Sequence, residues 1–459
     1  MIRIKAAAIA LWACTALAGP LGAETMQEAL VAAYQNNPTL VAQRAALRAL
    51  DANVPQAISG WRPTVAMVGT AGRAKDWRDP IGDQTRSPVT GDLSVTETIY
   101  NFGRTAAQTE SAEAAVKSGR ARLTSTEQTI LLQVITAYMD VVRDTSLRDL
   151  NRNNEQVLRR QLDAANDRFR VGEITKTDVS QAESRLSRAT ADRIQAEGNL
   201  TASRANYRRV VGHTPHELAP PMPEPQLPSS DDEAMALAQD LNPDLLTAKY
   251  TEESSRHDVD AAFSNRRPII SVVGDLNHTA DGTTRGLDID TASITARVTV
   301  PLYQSGSEYS IVRQRKETAN QRRIEIDDTF RQVRQTVTRA WEALNTARAN
   351  IIARKEQERA AGIALDGVTQ EAQVGSRTTL DVLDAEQESL DAQSALVTAR
   401  RDEYVAAFTL LSAVGQLTAE RLALPVKVYD PVTHYQKVRN KWIGTEPPTD
   451  GADPAPEKK

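Results

Sequence analysis

One passage occurs twice in this chain, and the duplication constrains the fold more than any other feature. The segment VGSRTTLDVLDAEQ, which begins at Val374, repeats VGEITKTDVSQAES, which begins at Val171, 203 residues earlier. NNPTL pairs with LNPDL and IYNFG with LYQSG in the same order, at offsets of 205 and 203 residues. Ordered matches at a near-constant offset indicate a tandem repeat. The sequence therefore predicts two copies of one unit, residues 24–218 and 231–424, joined by a linker at 219–230.

Each unit is predicted to contain two β-strands, near 62–74 and 91–102 in the first copy and near 268–279 and 291–303 in the second. The passage TASITARVTVPLYQ alternates, with isoleucine, alanine and valine on one face and threonine and arginine on the other. A period of two residues is typical of a strand with two different faces. GDLSVTETIYNF alternates in the same way, with Glu97 as a polar residue on its apolar face.

Two proline-free stretches that follow the strand pairs, residues 104–170 and 307–373, predict very long helices. Each would span about 100 Å, because an α-helix rises 1.5 Å per residue. Apolar residues in the second stretch recur at alternating spacings of three and four, which is typical of a coiled coil and equally of a helical bundle core. These residues are Phe330, Val333, Val337, Ala340, Leu344, Ala347 and Ile351.

Shorter helical stretches accompany each long one. Residues 26–58 and 231–263 precede the strands, and return helices are predicted at 178–212 and 381–415. In each unit the two shorter stretches together match the long helix in length. If these helices are continuous, each unit is a rod about 100 Å long with strands at one end and a tight turn at the other.

The N-terminal residues have the pattern of a secretory signal peptide. Arg3 and Lys5 precede an apolar run of 13 residues that begins at Ala6, and small residues follow as far as Ala23. Such a run is too short for a membrane helix, so residues 1–23 are assigned to a signal that is removed. Cys14 is the single cysteine of the chain and lies in this signal, so the mature chain would contain no thiol.

Charge excludes one class of partner. The chain has 55 basic and 60 acidic residues and a formal net charge of −5. Removal of the signal takes away two basic residues and makes the chain more acidic, so the balance predicts no binding of nucleic acid. Residues 425–459 follow the second unit and are predicted to pack beside the linker midway along the rod, then to end in a disordered tail rich in proline and acidic residues.

Four strands from one chain do not make a membrane barrel by themselves. An open sheet leaves unpaired backbone groups at its edges, and lipid provides no partner for them. Three chains would supply about twelve strands, an even number within the usual range of outer-membrane barrels. The same threefold symmetry would wrap the helices into a hollow cylinder.

The signal peptide, the repeats and the passages VGEITKTDV, VGSRTTLDVLDA and VPLYQSG resemble the TolC family of outer-membrane efflux and secretion channels. The resemblance extends from about Ala23 to Leu424. It implies an α+β membrane protein of Gram-negative bacteria, located in the outer membrane and extending into the periplasm. The family's architecture is a homotrimer with a barrel of about twelve strands, four per chain, continuous with a long periplasmic α-helical barrel.

The resemblance also implies the partners. It predicts a periplasmic adaptor (membrane fusion) protein, an inner-membrane ABC or proton-driven transporter, and outer-membrane lipid around the barrel. Because the transporter supplies the energy, no enzyme activity, catalytic residue, metal or cofactor is expected in this chain. The sequence contains no Walker loop, no G-x-S-x-G and no H-E-x-x-H motif.

The duplicated passages are then predicted to be the two hairpin tips, residues 171–178 and 374–381. Gly172 and Gly375 fall where the outgoing helices must end, a position that favours glycine. The resemblance implies that the adaptor docks on these tips.

Two aspartates distinguish the second tip. Asp381 and Asp384 are three residues apart and would share one face of a helix. In a trimer, six carboxylates would crowd a narrow ring that attracts cations and serves as the periplasmic gate. The alternative for Asp381 is an ordinary helix cap.

A latch between the tips is implied by the resemblance alone. In the family, an aspartate of the first tip and the threonine before it bond across to an arginine of the second tip. The matching residues here are Thr177, Asp178 and Arg377. Well-studied members add a tyrosine where this chain has Ala372, so we expect a weaker latch. Asp178 has the same alternative role as a helix cap.

These observations predict an outer-membrane exit duct that exports small molecules, proteins by type I secretion, or both. Drug and protein cargo stay open at this point, because cargo is selected upstream of such a duct. The alternative function is a periplasmic coiled-coil scaffold or adaptor without a pore. The four alternating strands distinguish the two, and a heat-modifiable outer-membrane trimer would favour the channel.

Overall fold

The structure is a computed structural model that describes residues 23–446. The predicted signal peptide lies outside these residues except for Ala23, and so do residues 447–459 of the predicted tail. Within the described part, no helix is both long enough and apolar enough to span a membrane.

The described residues form ten α-helices and six β-strands. The helices are α1 (Met26–Asn36), α2 (Pro38–Asp51), α3 (Asn53–Ile58), α4 (Arg104–Arg170), α5 (Lys176–Val211), α6 (Asp231–Leu241), α7 (Pro243–Ser264), α8 (Ser307–Gln373), α9 (Thr379–Ala413) and α10 (Pro431–Arg439). The strands are β1 (Thr64–Ala71), β2 (Ala74–Asp76), β3 (Gln84–Arg86), β4 (Val89–Tyr100), β5 (Ile269–Ala280) and β6 (Asp288–Thr299).

The two long helices occupy the residues that the proline-free stretches predicted. Helices α4 and α8 each contain 67 residues, which corresponds to about 100 Å. Each packs along its return helix, α5 or α9. The chain therefore contains two long helical hairpins, one in each repeat.

The prediction that the first helical stretch of each repeat is continuous is wrong. Residues 26–58 form α1, α2 and α3, and residues 231–263 lie in α6 and α7. The main breaks follow Asn37 and Asn242, each of which precedes a proline and has φ −65° and ψ 121°. The cause is local, because proline disfavours helical geometry in the residue before it and lacks a backbone N–H.

The same two asparagines join helices end to end. The side-chain oxygen of Asn37 accepts the backbone N–H of Thr39 at 3.0 Å, and its Nδ2 donates to the carbonyl of Val210 at 2.9 Å. Asn242 repeats the second bond with the carbonyl of Ala413, at 3.0 Å. Helix α2 thus begins where α5 ends, and α7 begins where α9 ends. Of the helices before the strands, α2 and α7 therefore continue the return helices α5 and α9, whereas α1 and α6 do not.

Helices α1 and α6 instead pack against the middle of α4 and α8. The core around α1 is built on α4 side chains that include Leu131, Val134, Ile135 and Tyr138. The core around α6 contains four of the predicted heptad residues, which pack on α6 and on the end of α9. The heptad pattern therefore marks a bundle core here. The four residues are Val333, Val337, Ala340 and Leu344.

Four of the strands form one antiparallel sheet in the order β1-β4-β5-β6. Strands β4 and β5 come from different repeats, so their pairing joins the two units. The small hairpin β2–β3 lies in the connection between β1 and β4. Strands β1 and β6 form the two edges of this sheet in the described chain.

The strand register aligns apolar side chains on one face of the sheet. Met67 lies opposite Leu93, which lies opposite Leu276. This face is open to solvent in the single chain, since Met67 is 81% and Ile294 86% exposed. Glu97, the expected exception, lies opposite Val272. The other face carries aligned polar residues, among them Ser94, Asp275 and Ser293.

The linker and the C-terminal residues meet beside the main core. Met222 and Leu227 of the linker pack on this core together with Leu422 and Val426. Beyond this point the structure contains a helix that the sequence analysis did not predict, α10, within the segment that precedes the predicted tail. Its signal was available in the sequence, since Asp430 caps the helix and a proline occupies its first turn.

Candidate functional site at the hairpin tips

Glycine ends each outgoing helix at the hairpin tips, as predicted. Gly172 and Gly375 both have φ +80°, in the left-handed region that favours glycine. The N–H of Gly172 donates to the carbonyl of Phe169, and that of Glu173 to the carbonyl of Arg168, both at 3.0 Å. The same pair of bonds recurs around Gly375. Each tip therefore contains a Schellman turn, and the two turns have the same hydrogen bonds.

Each return helix begins with a threonine cap and a nearby aspartate. Thr175 is the N-cap of α5, and Asp178 accepts its backbone N–H at 2.9 Å and its hydroxyl at 2.8 Å. Thr378 and Asp381 repeat this geometry at α9, with the same distances. Both helices therefore begin two residues earlier than the predicted starts at Asp178 and Asp381. The carboxylates complete capping boxes from the third helical position.

The capping bonds also favour the ionised form of Asp178 and Asp381. Hydrogen bonds from the backbone N–H and the hydroxyl of Thr175 hold the pKa of Asp178 below its usual range. The same bonds from Thr378 lower the pKa of Asp381, with a smaller contribution from the charge of Arg377. Both side chains are thus anionic wherever a free aspartate would be.

Asp384 contacts the other hairpin of the same chain. Its Oδ1 accepts a hydrogen bond from Nη2 of Arg185 in α5, and the two side chains form an ion pair. The Asp384 side chain remains 58% exposed. The sequence predicted a shared face for Asp381 and Asp384, but it gave no sign of this cationic partner.

Two further polar contacts tie α9 to the first hairpin. Gln161 of α4 donates through Nε2 to Oε1 of Glu386, at 3.1 Å. Nearer the middle of the rod, Nε of Arg401 lies 2.8 Å from Oδ1 of Asp140. Together with the ion pair of Asp384, these contacts couple the second hairpin to the first from the middle of α9 to its tip.

The predicted latch residues lie at the tips but do not meet in the single chain. Arg377 donates from Nε to Oε2 of Glu371 at 2.8 Å, within its own hairpin. Thr177 is exposed in the first turn of α5, and Asp178 is held by its capping box. Within the described residues of one chain, no bond joins Thr177 or Asp178 to Arg377, so the latch stays a prediction. Ala372 lies in the last turn of α8, and its carbonyl accepts the Gly375 N–H.

Both tips expose apolar side chains. Val171 and Val374 precede the two turn glycines and are 79% and 81% exposed. Phe169 and Leu380 add further apolar surface, at 43% and 39% exposure. An exposed apolar end on each rod is a feature of a docking surface. No group of metal-ligating residues occurs anywhere in residues 23–446.

Sequence comparison identifies the family. A family model described as outer membrane efflux protein matches residues 29–213 and 234–416. The chain belongs to the outer membrane efflux protein family. The two matched segments correspond to the two repeats, so this efflux protein carries the family's unit twice.

Individual relatives agree with this assignment. The chain is 37% identical over 445 residues to the outer membrane efflux protein BepC of Brucella suis biovar 1 (strain 1330), with 96% of each chain covered. It is 26% identical over 416 residues to the outer membrane protein TolC of Vibrio cholerae. That alignment covers 88% of this chain and 93% of the Vibrio cholerae protein. The Campylobacter jejuni CmeC outer membrane channel superposes with a TM-score of 0.78 at 15% identity, over 91% and 89% of the two chains. The efflux protein therefore has the α+β fold of TolC-like channels and resides in the outer membrane.

Sequence reasoning missed the capping threonines Thr175 and Thr378 and the polar partners Arg185, Gln161, Glu386 and Glu371. Each of the polar partners is a charged or amide residue on a polar helix face, and nothing in the local pattern distinguishes it from its neighbours. The capping threonines had a readable signal, because threonine followed three residues later by an acidic residue is typical of a helix start.

Proposed function

We propose that three copies of this efflux protein close into one duct that carries small molecules, proteins or both across the outer membrane. The observation that carries this proposal is the apolar face that runs across all four strands. Met67 and Ile294 on this face are almost fully exposed in the single chain. Such a large exposed apolar surface is more stable in contact with lipid than with water. Strand β1 of one copy would pair with β6 of the next, which removes every free edge and gives about twelve strands.

The helices would continue the barrel as a cylinder in the periplasm. Transport through it needs no chemistry in this chain, so the energy is assigned to an inner-membrane ABC or proton-driven transporter. A periplasmic adaptor would connect the two proteins by docking on the tips at Gly172 and Gly375, where Val171 and Val374 are exposed. The resemblance to BepC, an outer membrane efflux protein, favours efflux, and protein secretion is the second candidate.

The periplasmic gate is proposed to close when α9 packs on the first hairpin. Arg185 and Asp384 would hold this closed position within each chain. Thr177 and Asp178 of one chain would bond to Arg377 of a neighbouring chain, in exchange for its bond to Glu371. Exposed ion pairs contribute only about 0–1 kcal/mol each, so adaptor docking at the tips is sufficient to separate them.

The carboxylates of Asp381 and Asp384 are proposed to form the narrow ring at this gate. The pKa of Asp381 lies below its usual range because of its cap, which keeps that part of the ring anionic. The ion pair with Arg185 partly neutralises the charge of Asp384. The ring would therefore carry less net negative charge than six free carboxylates. Cations would still be attracted and would block the closed duct.

The experiment that tests the duct is a paired measurement on the purified protein. We expect a trimer that resists dodecyl sulfate until heated and that forms channels in planar lipid bilayers. A monomer without conductance would favour the alternative, a periplasmic scaffold without a pore. A trimer without conductance would retain the assembly and reject the duct.

A further inference from the structure

The C-terminal strap, defined here as residues 425–446, is fixed to helices of the first repeat. Nδ1 of His434 lies 2.7 Å from Oδ2 of Asp51, and both side chains are buried. Arg439 and Tyr435 both contact Oε1 of Glu113 in α4, each at 3.0 Å. These bonds to α2 and α4 give the strap a defined course along the helices.

The strap rises from the middle of the rod to the level where the sheet begins. At its lower part, the N–H of Tyr429 donates to the hydroxyl of Tyr34 in α1, at 3.1 Å. At its upper part, Nη1 of Arg62 donates to the carbonyl of Lys441 at 2.9 Å. Arg62 lies two residues before β1, which corresponds to about 7 Å of extended chain. The end of the strap therefore lies beside the helix-to-strand junction.

The side chains at the end of the strap are apolar and exposed. Trp442 is 65% and Ile443 is 89% exposed. The guanidinium of Arg62 stacks over the Trp442 ring, 4.8 Å from its centroid. Trp61, next to this arginine, is also 40% exposed. Tryptophan accompanied by lysine and arginine is typical of the boundary between membrane and water, where the ring lies among lipid headgroups and the cations reach phosphates.

We propose that Trp442 and Ile443 insert into the periplasmic leaflet of the outer membrane as a second, non-barrel attachment of each chain. Arg62 and Lys441 would lie at the level of the phospholipid phosphates. The inference rests on the barrel proposed above, because the membrane surface must meet the rod where β1 begins. Phospholipid is favoured over a neighbouring copy for two reasons. The apolar pair adjoins Arg62, three residues before Val65, the first apolar-face residue of β1, which is 67% exposed. The two cations at the same level also complement phosphate charge.

The chain allows a direct test because its single cysteine, Cys14, lies in the predicted signal. In a Cys14→Ser background, Ile443→Cys would carry a nitroxide label in the full-length protein in phospholipid nanodiscs. Its high exposure means that the substitution costs the fold little. Labels at Ile294→Cys and Val428→Cys serve as the lipid and water references. Collision with dissolved oxygen reports lipid, and collision with a water-soluble nickel chelate reports water.

We expect the label at position 443 to resemble that at position 294, with an oxygen-to-nickel collision ratio several-fold above that at position 428. A ratio equal to that at position 428 would overturn the attachment, since the end of the strap would then lie in water. A label shielded from both quenchers would also overturn it and would assign the pair to a neighbouring copy. If the label at position 294 itself reports water, the proposed barrel fails rather than the strap alone.

Discussion

Arg185 and Asp384 lie 199 residues apart in the chain, yet their side chains form an ion pair between the tips of the two hairpins. Arg185 belongs to α5 of the first repeat and Asp384 to α9 of the second. The pair therefore crosses the boundary that must open if the hairpins separate. In the proposed gate it would add a contact within one chain to any bond between chains.

Removing this pair should loosen the gate. We expect Arg185→Ala to raise the single-channel conductance of the protein in planar bilayers several-fold. Each exposed pair is worth at most about 1 kcal/mol, and three copies would act together on one gate. The matched control is Arg188→Ala, one turn along α5, because within residues 23–446 the ion pair of Arg188 is to Asp192 of its own helix, at 3.8 Å. Equal conductance in wild type and Arg185→Ala would remove the pair from the gate.

Neutralising the carboxylate ring should abolish block by divalent cations. We expect Asp381→Asn/Asp384→Asn to conduct in the presence of divalent cations that block the wild type. Asparagine is preferred to alanine at position 381, since alanine would remove the capping bonds altogether. Asp391→Asn is the control, because Asp391 lies two turns further along α9 and bonds to Gln387. Equal block in the double variant and the wild type would contradict the ring.

The block should also persist into acid. The pKa of Asp381 is lowered from 3.8 by its bonds to Thr378. A depressed pKa means that the charge is retained as the pH falls to that value and is lost only below it. We therefore expect the contribution of Asp381 to divalent block to change little between pH 7 and pH 4. The measurement is the conductance of the channel with divalent cations present, recorded across this pH range. Thr378→Ala removes the cap, and loss of block in this variant should move to higher pH.

Two variants distinguish a latch between chains from a bond within one hairpin. We expect Arg377→Ala to raise the closed-state conductance, because it removes the predicted bond to Thr177 and Asp178. Glu371→Gln should have the opposite effect, since it frees Arg377 from its present partner. If both variants raise the conductance equally, Arg377 acts through Glu371 and the latch between chains is wrong.

Two equivalent glycines should differ in their tolerance of alanine. Gly212 and Gly415 both have positive φ, at +106° and +85°. A Cβ at Gly212 would meet no atom within 4 Å, whereas at Gly415 it would lie 2.4 Å from the carbonyl oxygen of Leu241. We expect Gly415→Ala to destabilise the fold by about 2 kcal/mol more than Gly212→Ala, the cost of overpacking against backbone. The midpoints of thermal unfolding of the two variants measure this difference, and equal midpoints would contradict it.

The long helices could be predicted from the sequence more accurately than the short ones. Between Arg104 and Arg170 the pattern is long, polar and free of proline, so one element explains it. The first helical stretches looked continuous because their apolar spacing persists through Asn37 and Asn242. The break depends on the proline that follows each asparagine, a local signal that outweighs the apolar spacing. Asp430 and Pro431 gave the same type of signal for α10.

The candidate site was only half readable from the sequence. Gly172 and Gly375 could be assigned because a helix end with positive φ is a local requirement. The pairing of Arg185 with Asp384 depends on how α5 packs against α9, which no local pattern encodes. Likewise, no local pattern indicates that Arg377 bonds to Glu371 in the single chain rather than to the predicted latch residues.

Three chains of this protein are proposed to close around one continuous bore. A cryo-electron microscopy map of the full-length protein in phospholipid nanodiscs tests it most directly. We expect threefold symmetry, with β1 of each chain paired to β6 of the next and a lumen that continues from the barrel into the helices. A map of single rods, or of a trimer whose helices pack without a lumen, would contradict the duct.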